Sequence, residues 1–305
     1  MNGHRPHRIA YLAGHGIGPG VTAAASRALD HLRRRHGFRL EEIHPPFGAE
    51  TLTNRGAELP PATRRATESA DAILVAGAGE TTLAALRALV RPAVRVTRTL
   101  DLGGDSTVYA PLTAEACDAA IARAATGGEP VTAVGLDDAW HARVRAIAPD
   151  AVELSLAEAL ELLASGSAGT VVAAPELGEA LAAAPRLGGR ARLVATADLP
   201  LVGPGIFTPT LTGEHVDGGH DVADPTEMLL ATALLLIEGL DEREAGRALE
   251  RSVADALARR SSRTAGGTIV RETTREFVDV VLELIPGTRR ETDVALEVTG
   301  MGVPG

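Results

Sequence analysis

Short apolar runs, Gly-rich turns and amphipathic stretches alternate along the chain. Residues 8–13 (RIAYLA) read as a buried strand, the turn Gly14-His15-Gly16-Ile17-Gly18-Pro19-Gly20 follows, and Val21 to Arg35 has helical periodicity. The same pattern recurs at 72–76 (AILVA), which ends in Gly77-Ala78-Gly79, and two further apolar strands are predicted at 131–134 and 170–174. Helices are predicted over 156–164, 176–184, 226–238, 241–260 and 274–285. Beyond Pro286 the pattern weakens to a tail with one strand from Val294 to Val298, and no internal repeat or low-complexity linker is present. Strands alternating with helices predict an α/β architecture, with ligand binding at the carboxyl ends of the strands.

Composition narrows this picture. The 305 residues are 45% hydrophobic, enough for one large or two modest domains, but only 2% are aromatic, so Ala, Val and Leu must fill the core. A net charge of -10 excludes a basic nucleic-acid-binding face. All 30 basic residues are arginine, so no lysine-dependent chemistry is available. Cys117 is the single cysteine, which excludes an intramolecular disulfide and a CxxC metal site and suits a reducing cytoplasm. The first residues lack a long apolar core, and no uncharged apolar run approaches the ~18 residues of a membrane span, so neither a signal peptide nor a membrane helix is expected.

Five segments carry a resemblance. They are GHGIGPGV at 14–21, GAELPPATRRATESADAILVAGAG at 56–79, TTLAALR at 81–87, TPTLTGEHVDGGHDVADP at 208–225, and RTAGG at 263–267 with TREF at 274–277. In order and content they resemble the isocitrate/isopropylmalate dehydrogenase family, whose corresponding motifs include GDGIGPEV and the cofactor loop EPVHGSAPDIAGKGIANP. The Ala-Asp-Pro variant is more distantly similar to 4-hydroxythreonine-phosphate dehydrogenases. The resemblance implies an isopropylmalate dehydrogenase-like α/β fold with a central mixed or parallel sheet. It also implies two domains, a larger one from 1–100 plus 206–305 and a smaller one from 101–205. The smaller would carry dimerisation helices near 156–164 and 176–184.

The same resemblance implies NAD or NADP as hydride acceptor, a Mg or Mn ion held by carboxylates of two subunits, a lysine and a tyrosine for protons, and arginines for substrate carboxylates. Much of that inventory is missing. VGLDDAW stands where the lysine is expected, and the chain is short between Arg98 and Thr113, where the tyrosine insert belongs. Tyr109 lies nearby without matching context. Ala157 or Glu158 replaces one metal aspartate; Glu179 and Ala183 replace two others in the GEALAA stretch that corresponds to GDILSD. In the cofactor loop Leu211-Thr212 replaces His-Gly and Asp224 replaces Asn, which loses a donor that reads adenine.

What remains is cationic and glycine-rich. Arg87 matches a substrate arginine, and Arg91, Arg95 and Arg98 follow closely enough to build an anion clamp, or a solvent-facing basic patch. Thr81 matches a substrate-contacting hydroxyl. Gly14, Gly16, Gly18, Thr212, Gly213, His215 and Asp224 are the cofactor-binding remnants. Glu179, His215 and His220 are the candidate metal ligands, with a mutated exposed loop as the plain reading of 214–221. His15, in place of an aspartate, and Tyr109 are the candidate acids or bases. Three functions fit: a repurposed or non-catalytic homologue keeping a cleft for a small anionic molecule; an NAD(P)-dependent dehydrogenase of a 2-hydroxy acid with unusual site residues; and a non-catalytic subunit of a hetero-oligomer. A homodimer is the expected assembly of the first.

Overall fold

The structure, a computed structural model, describes residues 5–48, 51, 53–54, 56–57, 59–101, 104–187, 193–210, 223–265 and 272–286. In chain order its elements are β1 (His7–Ala13), α1 (Gly18–His36), β2 (Leu40–Ile43), α2 (Pro61–Glu68), β3 (Ala72–Ala76), α3 (Glu80–Val90), β4 (Val94–Asp101) and β5 (Gly104–Pro111). There follow α4 (Cys117–Thr126), β6 (Val131–Val134), α5 (Asp138–Ile147), β7 (Val152–Leu154), α6 (Leu156–Ser165), β8 (Gly169–Ala173) and α7 (Gly178–Leu187). The last are β9 (Leu193–Leu199), β10 (Gly205–Pro209), α8 (Thr226–Leu234) running into a π turn (Leu235–Gly239), α9 (Arg243–Ala265) and α10 (Thr274–Leu284). The expected C-terminal strand at 294–298 lies outside the described residues.

The ten strands among the described residues join one sheet in the order β2-β1-β3-β10-β9-β4-β5-β8-β6-β7. The two ends are parallel, as strand–helix–strand repetition requires. The centre is not: β10, β9, β4 and β5 pair antiparallel. The sheet is therefore mixed, and strands from residues 7–76 and 205–209 occupy one end while those from 104–173 occupy the other. β4 and β5 are joined by only two residues, so no insert separates them.

Side-chain alternation sorts the strands between two faces. On the back face Tyr11, Leu74, Val96, Tyr109, Val172, Ala197 and Phe207 meet α1, α4, α8, α9 and α10 in the main core. α8 is buried on nearly every side, as expected of a helix that is apolar all round. On the front face α3 covers one end of the sheet, where Leu86 packs with Ile73, Val75 and Ile206. α6 and α7 cover the other, where Leu163 and Leu181 pack with Val108 and Val171. The front of the central strands lies between these two lids. Among the described residues no helix is long and apolar enough to cross a membrane.

Candidate functional site

Between the two front-face lids lies a cleft of about 820 Å³. One rim is formed by the turns after β1 and β3. These strands are parallel neighbours, so their carboxyl-end turns are brought side by side. Gly14 N–H donates to the Ala76 carbonyl at 2.7 Å, and His15 N–H to the Gly77 carbonyl at 3.1 Å. A Cβ on Gly14 would stand 2.0 Å from the Gly77 oxygen, so the close approach of two backbones demands glycine there. His15, exposed, and Gly16 line the rim. Gly18, at the start of α1, sits against Ala76.

The floor follows from strand register. Thr97 of β4, Thr196 of β9 and Thr208 of β10 are consecutive cross-strand partners, and all three line the cleft. The next row sets Arg95 opposite Asp198 and Asp198 opposite Ile206. The far wall is α7, which contributes Gly178, Glu179, Ala182 and Ala183. Gly178 lets this helix seat on Ala110, since a Cβ would stand 2.4 Å from the Ala110 methyl.

An ion cluster joins the floor to the wall. Asp198 is 1% exposed; its Oδ2 accepts from Arg87 Nε at 2.8 Å and its Oδ1 from Arg95 Nε at 2.7 Å. Arg87 also donates to Glu80 at 3.1 Å. Burial disfavours the charge on Arg87, but Asp198 and Glu80 outweigh it and hold the guanidinium pKa above its ordinary value. Two guanidinium groups thus converge on the cleft with their orientation held from beneath.

The chain is similar to known proteins. A family model described as isocitrate/isopropylmalate dehydrogenase matches residues 8–129, which include both glycine turns and both arginines of the cluster. The 3-isopropylmalate dehydrogenase of Prochlorococcus marinus (strain MIT 9313) is 28% identical over 83% of this chain and 92% of its own. The crystal structure of a beta-decarboxylating dehydrogenase from Thermococcus kodakarensis (apo form) superimposes with a TM-score of 0.68 at 15% identity, covering 98% of this chain and 100% of that one. Isocitrate dehydrogenase from Methylococcus capsulatus gives 0.66 at 18% identity, covering 92% and 99%. The chain is thus similar in sequence to isocitrate/isopropylmalate dehydrogenases over residues 8–129, and it shares the fold of such dehydrogenases along nearly its whole length.

The family's residues are not all gathered at this chain's cleft. Of the four arginines proposed as a clamp, Arg87 and Arg95 line the cleft and two do not. Arg98 is three residues from Arg95 on the same strand and so faces the other side of the sheet. There it is 8% exposed, paired with Glu250 and Asp105, and donates to Thr107 at 2.8 Å. Burial works against its charge, and the two carboxylates override this. Arg91 is the left-handed residue (φ 53°) that ends α3 and is exposed. Thr81 is exposed on the first turn of α3 and is not among the cleft-lining residues.

Tyr109 is turned away for the same reason as Arg98. Its hydroxyl donates to Glu238 at 2.7 Å on the back face, and Arg123 reaches the other Glu238 oxygen at 3.2 Å. Burial, then the Glu238 charge, holds Tyr109 protonated far above the usual phenol range. Asp224 accepts from the Thr226 N–H at 3.0 Å and hydroxyl at 2.6 Å, and pairs with Arg260 at 2.8 Å. From the position before the N-cap residue, Pro225, it thus satisfies the first N–H of α8. Thr212, Gly213, His215 and His220 lie outside the described residues.

The described residues do not fit a divalent metal in the manner the family implies. Glu80 and Glu179 are the exposed carboxylates of the cleft, both Asp198 oxygens accept from arginine, and no group of three or more His, Cys, Asp or Glu among the described residues could hold an ion. Asp198 and the threonine row escaped sequence reasoning. A lone aspartate between apolar residues at 193–199 was the signal that could have revealed the first.

Proposed function

We propose that this chain is a distant member of that family that has set aside metal- and NAD(P)-dependent oxidative decarboxylation and keeps its cleft for a small anionic molecule. The observation that carries the reading is the convergence of Arg87 and Arg95 over Asp198, between the paired glycine turns and α7. An arginine presents up to five donors, and here Asp198 takes the Nε of each, leaving other N–H groups for a ligand. The threonine row supplies hydroxyls that can donate or accept, and Ala110, Ala182 and Ala183 supply a small apolar wall.

Three features support the loss of the family reaction. The chain has no lysine, its one tyrosine near the expected position faces the opposite side of the sheet, and the cleft lacks a metal donor set among the described residues. Removing a single general acid or base slows catalysis by about 10²–10⁴-fold, and such losses compound even though they do not simply multiply. The test pairs two measurements on the purified protein. Isocitrate and 3-isopropylmalate, with NAD or NADP and magnesium or manganese, should give no reduction of the nucleotide. A thermal-shift screen of small carboxylates should give stabilisation that Arg87→Ala removes. Steady turnover that vanishes with EDTA would overturn the reading.

A further inference from the structure

The charge balance of the cleft carries a more specific conclusion, which rests on the anion-binding reading above. Arg87 and Arg95 contribute two positive charges, but the carboxylate between them is a permanent part of the protein. Asp198 sits directly across the β4–β9 ladder from Arg95, while Arg87 descends from α3 to meet its other oxygen. Its side chain is 2% exposed, against 28% and 33% for the two arginines, so it lies beneath them and they face the opening. One positive charge of the pair is thereby cancelled from below. Glu80 also pairs with Arg87, at 3.1 Å, but its side chain is 83% exposed and water screens most of its charge; Glu179 on the far wall is exposed too.

We propose that Asp198 sets the charge specificity of the cleft, cancelling one of the two arginine charges from the buried side so that the site takes a small hydroxylated monocarboxylate in preference to a dicarboxylate. A second carboxylate of the ligand would meet the buried, poorly screened Asp198 charge, and the screened charges of Glu80 and Glu179, without a free cation to match it. At separations of ~5 Å and an effective dielectric of ~20, each such mismatch is large enough to decide between ligands. A single carboxylate would bridge the outward N–H groups of Arg87 and Arg95, and its hydroxyl would lie over the threonine row.

The test compares 2-hydroxybutyrate with malate by titration calorimetry on the full chain at about pH 7.5, where both acids are fully ionised. The native protein should bind 2-hydroxybutyrate more tightly. Asp198→Asn should shift the affinity ratio toward malate by about tenfold or more. Because that variant removes a buried carboxylate and risks misfolding, Arg95→Gln provides a second arm. With one arginine left, Asp198 cancels it completely, and 2-hydroxybutyrate binding should fall by about tenfold or more even though Arg87 remains. Binding that depends on Arg87 but keeps the native ratio in Asp198→Asn, or is untouched in Arg95→Gln, would overturn the role of Asp198 and leave anion binding standing. Absence of binding by either acid, with no effect of Arg87→Ala, would remove both.

Discussion

Asp198 and Tyr109 show how far residue identity is from residue role. Asp198 is joined to partners 103 and 111 positions away, so no local pattern announces it. Tyr109 stands near the position where a proton-handling tyrosine is expected, yet strand alternation sends it to the back core with Glu238. Arg95 and Arg98 were separable in principle: an odd spacing on a strand always divides two residues between its faces. Arg98 interrupts the apolar alternation of Val94 and Val96, so the faces of this run are settled only by its pairing. Tyr109→Phe should cost about 1–3 kcal/mol in urea denaturation, the range for a hydrogen bond to a charged group, while ligand affinity stays within about twofold. A folded Tyr109→Phe protein that no longer binds would show that the tyrosine reaches the cleft.

At the level of elements, local signals and tertiary demands agree in some places and part in others. The helix expected from Val21 to Arg35 forms as α1, and those expected at 156–164 and 274–285 form as α6 and α10. Capping boxes at Ser155–Glu158 and Thr273–Glu276 explain the sharp starts of the last two. The helix expected over 226–238 instead changes to a π turn at Leu235–Gly239, which places Glu238 against Tyr109 and Arg123. The glycine turns are the most demanding elements. Gly14→Ala should destabilise by about 3 kcal/mol or more, because the obstacle is backbone that cannot rotate away. Gly79→Ala, with no atom within 4 Å, should cost under about 1 kcal/mol. A comparable loss in both would place the strain elsewhere than the contact of the two turns.

The Asp224 contacts at the start of α8 make a pH prediction at the same scale. Burial alone would raise the Asp224 carboxyl, but Thr226 and Arg260 reverse this and hold its pKa below the ordinary 3.8. The folded value is the lower one, so the contribution of these contacts is complete above the unfolded value and is lost as pH falls through the folded one. The stability difference between the native protein and Asp224→Ala should therefore be constant near neutral pH and shrink below about pH 4. Equilibrium denaturation across that range checks it, and a difference that grows on acidification would contradict the sign.

For the whole molecule, α6 and α7 pack their apolar faces on β5 and β8 within one chain, so their Ala/Leu composition does not by itself demand a partner. Leu162, 37% exposed, remains outward on α6 with Ala157 and with Ala180 of α7. We propose that two copies pair through this face; sedimentation should show a homodimer that Leu162→Glu converts to monomer, and a monomeric native protein at micromolar concentration would end the idea. The division into a domain of 1–100 plus 206–305 and one of 101–205 stays a proposal; the described strands form a single sheet whose two parallel ends are connected through the antiparallel strands β4 and β9. Periodicity and glycine placement along the chain were enough to establish the α/β class, the strands at 8–13, 72–76, 131–134 and 170–174 and the turn that rims the cleft. These depend on contacts between near neighbours and on backbone conformations that few residue types adopt. Which strands run antiparallel at the centre of the sheet, the division of the four arginines and the burial of Asp198 beneath two of them came from the fold. Each depends on which distant strands pair and in what register, and a shift of one residue would turn every one of those side chains to the other face.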